Sequence, residues 1–183
     1  MIYVRGADSA IAQELAELEP IVAIQRGHPM PDDGEKYLFC VGMNHQKRIA
    51  DQTLAEIYET FVVNTANVIR ECDRLLKANK EARICVVGSD SGFKWSFDGA
   101  YAAAKAGLHK YVETKRLKHP GQQLVCVAPS CVSGTRMNKR RNEDGKRALC
   151  VRMAEHPKGR WLEPEEVANM IHFLLCVDRG YTS

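Results

Sequence analysis

Five short apolar runs, separated by longer stretches of helical period, constrain this chain more than any other feature of its sequence. The runs are Ile2–Val4, Ile21–Gln25, Tyr37–Val41, Ile84–Val87 and Leu124–Val127. Each is short, largely apolar and rich in β-branched residues, as strands covered on both faces should be. Their alternation with helical segments predicts βαβ units and a parallel sheet. Ser9–Leu18 reads as a helix that Pro20 closes off. Thr53–Ala78 reads as one long helix or two, with Leu54, Ile57, Phe61, Val68, Cys72, Leu75 and Leu76 on its buried face. Ala100–Leu117 is alanine-rich, and Glu163–Val177 carries Pro164 in its first turn with acidic residues following, which suits a helix N-terminus.

The chain has 183 residues, 45% of them hydrophobic and 27% charged, enough for one compact domain over 1–183 and little room for two. A formal charge of +3 is too slight to demand a nucleic-acid or membrane partner. No apolar run approaches the roughly 20 residues that span a bilayer. Met1 leads into Ile2-Tyr3-Val4 without the basic and apolar regions of a secretion signal, so a cytoplasmic protein is expected. Seven scattered cysteines, most inside apolar runs, predict reduced, buried thiols rather than a disulfide framework. The six histidines show no metal-ligand spacing, and no metal is expected.

The chemistry concentrates in Tyr101-Ala102-Ala103-Ala104-Lys105. On a helix, residues four apart share a face, so a phenol and an ammonium project to one side with small alanines between them. The ammonium is expected to stabilise the phenolate and lower its pKa towards general acid/base use. Upstream, at the C-terminal end of the run Ile84–Val87, stands Gly88-Ser89-Asp90-Ser91-Gly92, at the end of the strands where open α/β sheets bind ligands. Further upstream, Asn64 sits inside the long helix, where asparagine is neutral to unfavourable.

Asn64, Ser89, Tyr101 and Lys105, in that order, resemble the tetrad of the short-chain dehydrogenase/reductase family. Arg5-Gly6-Ala7-Asp8-Ser9-Ala10-Ile11-Ala12 is similar to that family's opening T-G-x-x-x-G-x-G turn. Phe39-Cys40-Val41-Gly42 stands where the family has N-N-A-G. Val127-Ala128-Pro129-Ser130 through Thr135 stands for its P-G-x-x-x-T, and Glu163-Pro164-Glu165-Glu166-Val167-Ala168 for its P-E-E-V-A helix. The resemblance implies a Rossmann-like doubly wound parallel sheet and hydride transfer between a nicotinamide and a carbonyl or secondary alcohol. It makes Tyr101 the acid/base, with Lys105 lowering its pKa and holding the nicotinamide ribose. Ser89, or Ser91 as its rival, binds the substrate oxygen, and Asn64 holds a water linking Lys105 to solvent. Cofactor contacts fall on Gly6, Asp8, Ser9, Ile11, Arg26, Gly42, Tyr101, Lys105, Pro129, Val132 and Thr135. Gln25-Arg26 at the end of the second strand favours NADP over NAD, since arginine suits a 2′-phosphate. Family members commonly pair through the helices carrying Asn64 and Tyr101, so a homo-oligomer is expected, with Ala102, Ala103, Ala104 and Ala106 allowing close packing.

Departures from the family pattern carry expectations of their own. Ala10 and Ala12 replace two of the three turn glycines, which should weaken or shift the phosphates. Only ten residues separate Gln25 from Lys36, where the family has a helix, a strand and a further helix. Ten extended residues reach roughly 33 Å, enough to cross a strand of about 17 Å. A bare loop is therefore expected there, the family's third strand missing, and the adenine side partly open. The segment Gly180-Tyr181-Thr182-Ser183 stands where the family enters a last strand, so five strands ordered 2-1-4-5-6 in the family's count are expected. The basic stretch Arg136–Arg147 reads as a loop or poorly packed helix, a solvated face or a dock for a phosphate, carboxylate or acyl-carrier substrate. No aromatic residues interleave its charges for stacking on bases, which argues against nucleic acid. A catalytically weak or inactive relative, serving as a binding or regulatory module, is the alternative to an enzyme. A serine hydrolase is excluded because the centre of Gly88–Gly92 is Asp90.

Overall fold

The structure is a computed structural model that describes residues 1–139 and 141–177. All five apolar runs form strands: β1 (Ile2–Arg5), β2 (Ile21–Ile24), β3 (Lys36–Phe39), β4 (Arg83–Val87) and β5 (Gln123–Val127). They pair in parallel in the order β2-β1-β3-β4-β5, as the sequence predicts. Successive side chains point to opposite faces. Ile2, Val4, Leu38, Cys85, Val87 and Val125 therefore join one core layer, and Tyr37, Phe39, Ile84, Val86 and Leu124 the other.

Helices cover both faces. On the first lie α1 (Ala10–Leu18) and α7 (Pro164–His172), which contribute Ile11, Ala12, Leu15, Val167, Ala168 and Ile171. On the second lie α3 (Asn67–Ala78) and α4 (Gly99–Thr114), with Val68, Cys72, Leu75, Leu76 and Leu108. Local sequence starts each helix. Ser9 caps α1 by accepting from the Ala12 amide, and Pro164 sits in the first turn of α7. A Thr53–Glu56 capping box opens α2 (Leu54–Phe61).

The segment expected as one helix or two is a pair joined by a π-helical turn, Val62–Ala66. Two side chains expected on its buried face are instead exposed, Leu54 at 64% and Phe61 at 37%. Tertiary packing turns Thr60 inward instead. Residues 25–35 form neither helix nor strand, as expected of a bare crossing. This loop packs on the second face: Met30 is buried, and the Tyr37 hydroxyl donates to the carbonyls of Pro31 and Gly34. From α3, Arg74 donates to the Met30 carbonyl and pairs with Asp32.

The basic stretch takes the helical one of its two expected forms. It folds as a short helix α5 (Arg136–Lys139) and a full helix α6 (Glu143–Ala154), with Asn142 capping α6 by accepting from the Gly145 amide at 2.8 Å. Arg140 and the lost-strand expectation at Gly180–Ser183 lie outside the described residues.

Candidate active site

A cleft of about 900 Å³ runs along the C-terminal ends of the strands. At one end, β1 gives way to Gly6, whose φ is +87°. A Cβ there would lie 2.2 Å from the Cys40 carbonyl oxygen, so a side chain cannot fit between β1 and the chain leaving β3. Ser9 takes the Ala12 amide at 3.1 Å and contacts Cys40 Sγ at 3.0 Å. The first-turn amides of Ala10 and Ile11 have no helical partner by geometry, and both residues line the cleft. The Ile11 side chain goes into the core, leaving its backbone to face the cleft, while the Ala12 methyl is fully buried. Arg26 lines the same end. Asp8 pairs with Arg136 of α5, and both are exposed.

At the other end stands α4. Asp98 caps it, Oδ1 accepting from the Tyr101 amide at 3.0 Å and from Gln52 Nε2 at 2.9 Å, and Oδ2 from the His45 amide at 3.2 Å. Ser89 lines the cleft with Tyr101, and its hydroxyl acts to lower the Tyr101 pKa. Ser91 is turned away, its Oγ accepting from Arg152 Nη1 at 2.8 Å. Lys105 is 1% exposed, and its Nζ donates to the carbonyls of Val41 at 3.0 Å and Val87 at 2.7 Å. These bonds tie the ammonium to the ends of β3 and β4.

The expected lowering of the Tyr101 pKa is not what this geometry produces. Burial pushes the phenol up to about 12, and the Ser89 hydroxyl opposes this only in part. Lys105 Nζ lies 5.8 Å from the ring centroid and is engaged by carbonyls. Burial also brings Lys105 down to about 8. Desolvation disfavours both charged forms, and it outweighs their mutual attraction here.

Asn64 is fully buried in the π turn, not on a solvent face. Its Nδ2 donates to the carbonyls of Thr60 at 2.7 Å and Met43 at 2.8 Å, while Oδ1 accepts from the Met43 amide at 3.0 Å. In the π turn the Asn67 N–H donates to the Val62 carbonyl five residues back, and such a turn frees carbonyls that a side chain can take. Asn64 thus clamps the loop after β3. A Cβ on Gly42 would lie 3.9 Å from Asn64 Oδ1 and 4.0 Å from the Tyr101 hydroxyl, so these residues meet at one point. Pro129 accepts from the Asp90 amide at 3.0 Å, Val132 bridges to Leu162, and Thr135 Oγ1 donates to the Val132 carbonyl at 3.3 Å. All three line the cleft.

Sequence reasoning missed two residues, His109 and Arg152, and held Arg141 only as one charge of the basic stretch. His109 lies beneath Ser89, its Nε2 accepting from the Ser89 amide at 3.2 Å, and its ring stacks on Phe93 at 4.4 Å. The spacing Tyr101, Lys105, His109 puts all three on one helical stripe, a signal present in the sequence. Arg152 pairs with Asp90, and Arg141 lines the cleft beside Tyr101. Arg152 lies on α6 beyond the basic stretch, and Arg141 was legible only as one of that stretch's charges. Among the described residues, Glu19, His172 and Cys176 are the only His, Cys or acidic side chains grouped closely enough to share an ion. Glu19 there pairs with the Met1 ammonium and lies 3.9 Å from Lys36.

The parallel sheet, the glycine turn after β1 and the tyrosine–lysine helix facing it define a doubly wound α/β class of protein with its cleft at the strand ends. The sequence model of that class described as short chain dehydrogenase matches residues 38–146, and the chain belongs to the short-chain dehydrogenase/reductase family. Cyclohexanol dehydrogenase of Rhodococcus sp. (strain TK6) is 30% identical over 138 residues, 68% of this chain and 50% of that protein. The 3-oxoacyl-(acyl-carrier-protein) reductase of Vibrio cholerae is 28% identical over 137 residues, 73% of this chain and 54% of that protein. The chain spans about half the length of these curated relatives. A 3-oxoacyl-(acyl-carrier-protein) reductase of Agrobacterium tumefaciens, solved with NADP bound, shares the fold with a TM-score of 0.75 at 16% identity, covering 95% of this chain and 86% of that one. Among the described residues, no helix is long and apolar enough to cross a membrane.

Proposed function

We propose that the protein is an NAD(P)-dependent oxidoreductase that interconverts a small carbonyl compound and its alcohol. The observation that carries this reading is that Tyr101, Ser89 and Lys105 line one cleft, with Lys105 one turn along the same helix from Tyr101. A nicotinamide dinucleotide fits the residues present. Gly6 keeps the turn free of a side chain, the Ala10 and Ile11 amides offer a helix N-terminus to phosphate, and Lys105 offers an ammonium to ribose hydroxyls. When bound, that group supplies or accepts the hydride. Tyr101 donates a proton to the carbonyl oxygen in reduction and takes it back in oxidation. Its high pKa keeps it protonated until the oxygen develops charge, and Ser89 orients that oxygen. Ser89 is preferred to Ser91 because Ser91 is held by Arg152. Asn64 holds the loop beneath the tyrosine and a water that links Lys105 to solvent.

NADP is preferred to NAD, supported by Arg26 in the cleft and by the NADP-bound Agrobacterium reductase. We read residues 1–183 as one domain without the family's third strand, and place it in the cytoplasm, where the seven free cysteines stay reduced. It assembles with copies of itself. The exposed row Leu54, Tyr58 and Phe61 on α2, continued by Val62 of the π turn, supports this, as do Ala102, Ala103 and Ala106 of α4; Ala104 is fully buried in its own subunit.

A panel of small ketones and aldehydes assayed by NADPH consumption tests the reading. Turnover that falls roughly 100-fold or more in Tyr101→Phe, with NADPH affinity retained, supports it. Equal turnover in both forms removes Tyr101 as the proton donor.

A further inference from the structure

Beside Tyr101, away from the glycine turn, the cleft extends into a small chamber of about 20 Å³. Its walls include Ser96, Phe97, Tyr101, Leu149 and two arginines, Arg141 and Arg152. The arginines are not equivalent. Arg152 is neutralised by Asp90 and bonds Ser91. Arg141 bonds only the neutral Asn138 Oδ1, through Nε at 3.2 Å. Among the described residues no carboxylate lies within ion-pair distance of it. The carboxylate of Asp98 also lines the chamber, but its two oxygens are committed to the Tyr101 amide, Gln52 and the His45 amide. The charged residues lining the chamber are Arg141, Arg152 and Asp98, and with Arg152 paired to Asp90, Arg141 is, among the described residues, the guanidinium there without a carboxylate partner.

A half-buried guanidinium with its terminal nitrogens uncommitted is costly unless an anion joins it. Its planar fork matches a carboxylate in two parallel bonds. The chamber has room for a group about the size of one or two waters, which suits a carboxylate and not an acyl chain. We propose that Arg141 anchors a carboxylate on the substrate, so that the site takes a short oxo acid and the matching hydroxy acid in preference to a neutral ketone. This rests on the oxidoreductase reading above for its carbonyl, which sits on Tyr101 and Ser89, but the anion site itself does not depend on turnover.

Acetoacetate and its methyl ester separate the possibilities. In steady-state assays with NADPH, the wild type is expected to prefer the acid, and Arg141→Ala to lower the acid-to-ester ratio of kcat/KM by roughly 10- to 100-fold. Arg141→Lys, which keeps charge without the fork, should recover part of that ratio and guards against loss of fold in the alanine variant. A ratio unchanged by either substitution, or a wild type that prefers the ester, overturns the anchor. Weaker NADPH binding in Arg141→Ala, with the acid-to-ester ratio intact, assigns Arg141 to a cofactor phosphate and equally overturns it. Calorimetric titration with acetoacetate reads the anchor without catalysis. If neither compound turns over, yet acetoacetate binds the wild type and not Arg141→Ala, the oxidoreductase reading falls and the anchor stands. No binding, or equal binding to both forms, ends the proposal.

Discussion

Across the cleft from one another, α4 and the β1–α1 turn hold their polar groups in opposite ways. On α4, Asp98, Tyr101, Lys105 and His109 are all at least nine-tenths buried, and each is tied to backbone or to another buried group. At the β1–α1 turn the groups offered to a ligand are main-chain amides, and the charged ones, Asp8 and Arg136, are exposed. The contrast shows which side can change. Backbone amides present themselves whatever side chain is attached, so Ala10 and Ala12 leave the helix N-terminus in place. The buried wall has no such slack, because each lost partner leaves another group unsatisfied.

Substitutions should therefore hurt the α4 wall most. Asp98→Ala removes the cap of α4 and strands the Tyr101 and His45 amides and Gln52; a loss of about 3 kcal/mol is expected, read by urea denaturation. Next comes Lys105, whose folded pKa of about 8 lies below its ordinary 10.5. Between those values the unfolded chain holds a proton that the folded one has released, so Lys105 makes stability rise with pH, by about 1.4 kcal/mol per pH unit. The buried thiols Cys72 and Cys85, pushed above 9.0, act in the opposite sense once the unfolded chain loses those protons. The difference between wild type and Lys105→Met isolates the lysine: the wild type should gain on the variant as pH rises above 8. A constant difference would mean that the fold does not lower the Lys105 pKa.

His109 should give a smaller effect. Burial and Lys105 both lower its pKa, so it stays neutral and accepts from the Ser89 amide. His109→Gln retains an acceptor, whereas His109→Leu does not; kcat is expected to fall roughly 10-fold in the leucine variant and to recover in glutamine. Equal rates in the two variants would contradict a hydrogen-bonding role. The exposed wall should respond least. Removing the Asp8–Arg136 pair by Asp8→Ser is expected to change stability by less than about 0.5 kcal/mol, while NADPH binds a few-fold tighter because a carboxylate no longer faces the phosphates.

Much of this was legible in the sequence. The five strands announce themselves because each is apolar on both faces, and the strand order follows from the family resemblance together with the short crossing at residues 26–35. Tyr101 and Lys105 were legible because their spacing alone places them on one helix face. What the sequence hid was tertiary. Leu54 and Phe61 follow the helical period but face outward, and Asn64 is buried because a π turn interrupts the helix. Helix α6 buries only Gly145 and Leu149, too few to leave an apolar stripe, and with it went Arg152 beside Tyr101. The sign of the Tyr101 shift was hidden too, since burial is a property of the folded surroundings rather than of the Tyr-x-x-x-Lys spacing.

The central claim is that a chain with this altered glycine turn still holds a dinucleotide. Titrating the purified protein with NADPH and with NADH, followed by cofactor fluorescence, tests it most directly. Saturable binding is predicted, tighter for NADPH, with that preference lost in Arg26→Ala; no binding of either cofactor at millimolar concentration would contradict the account.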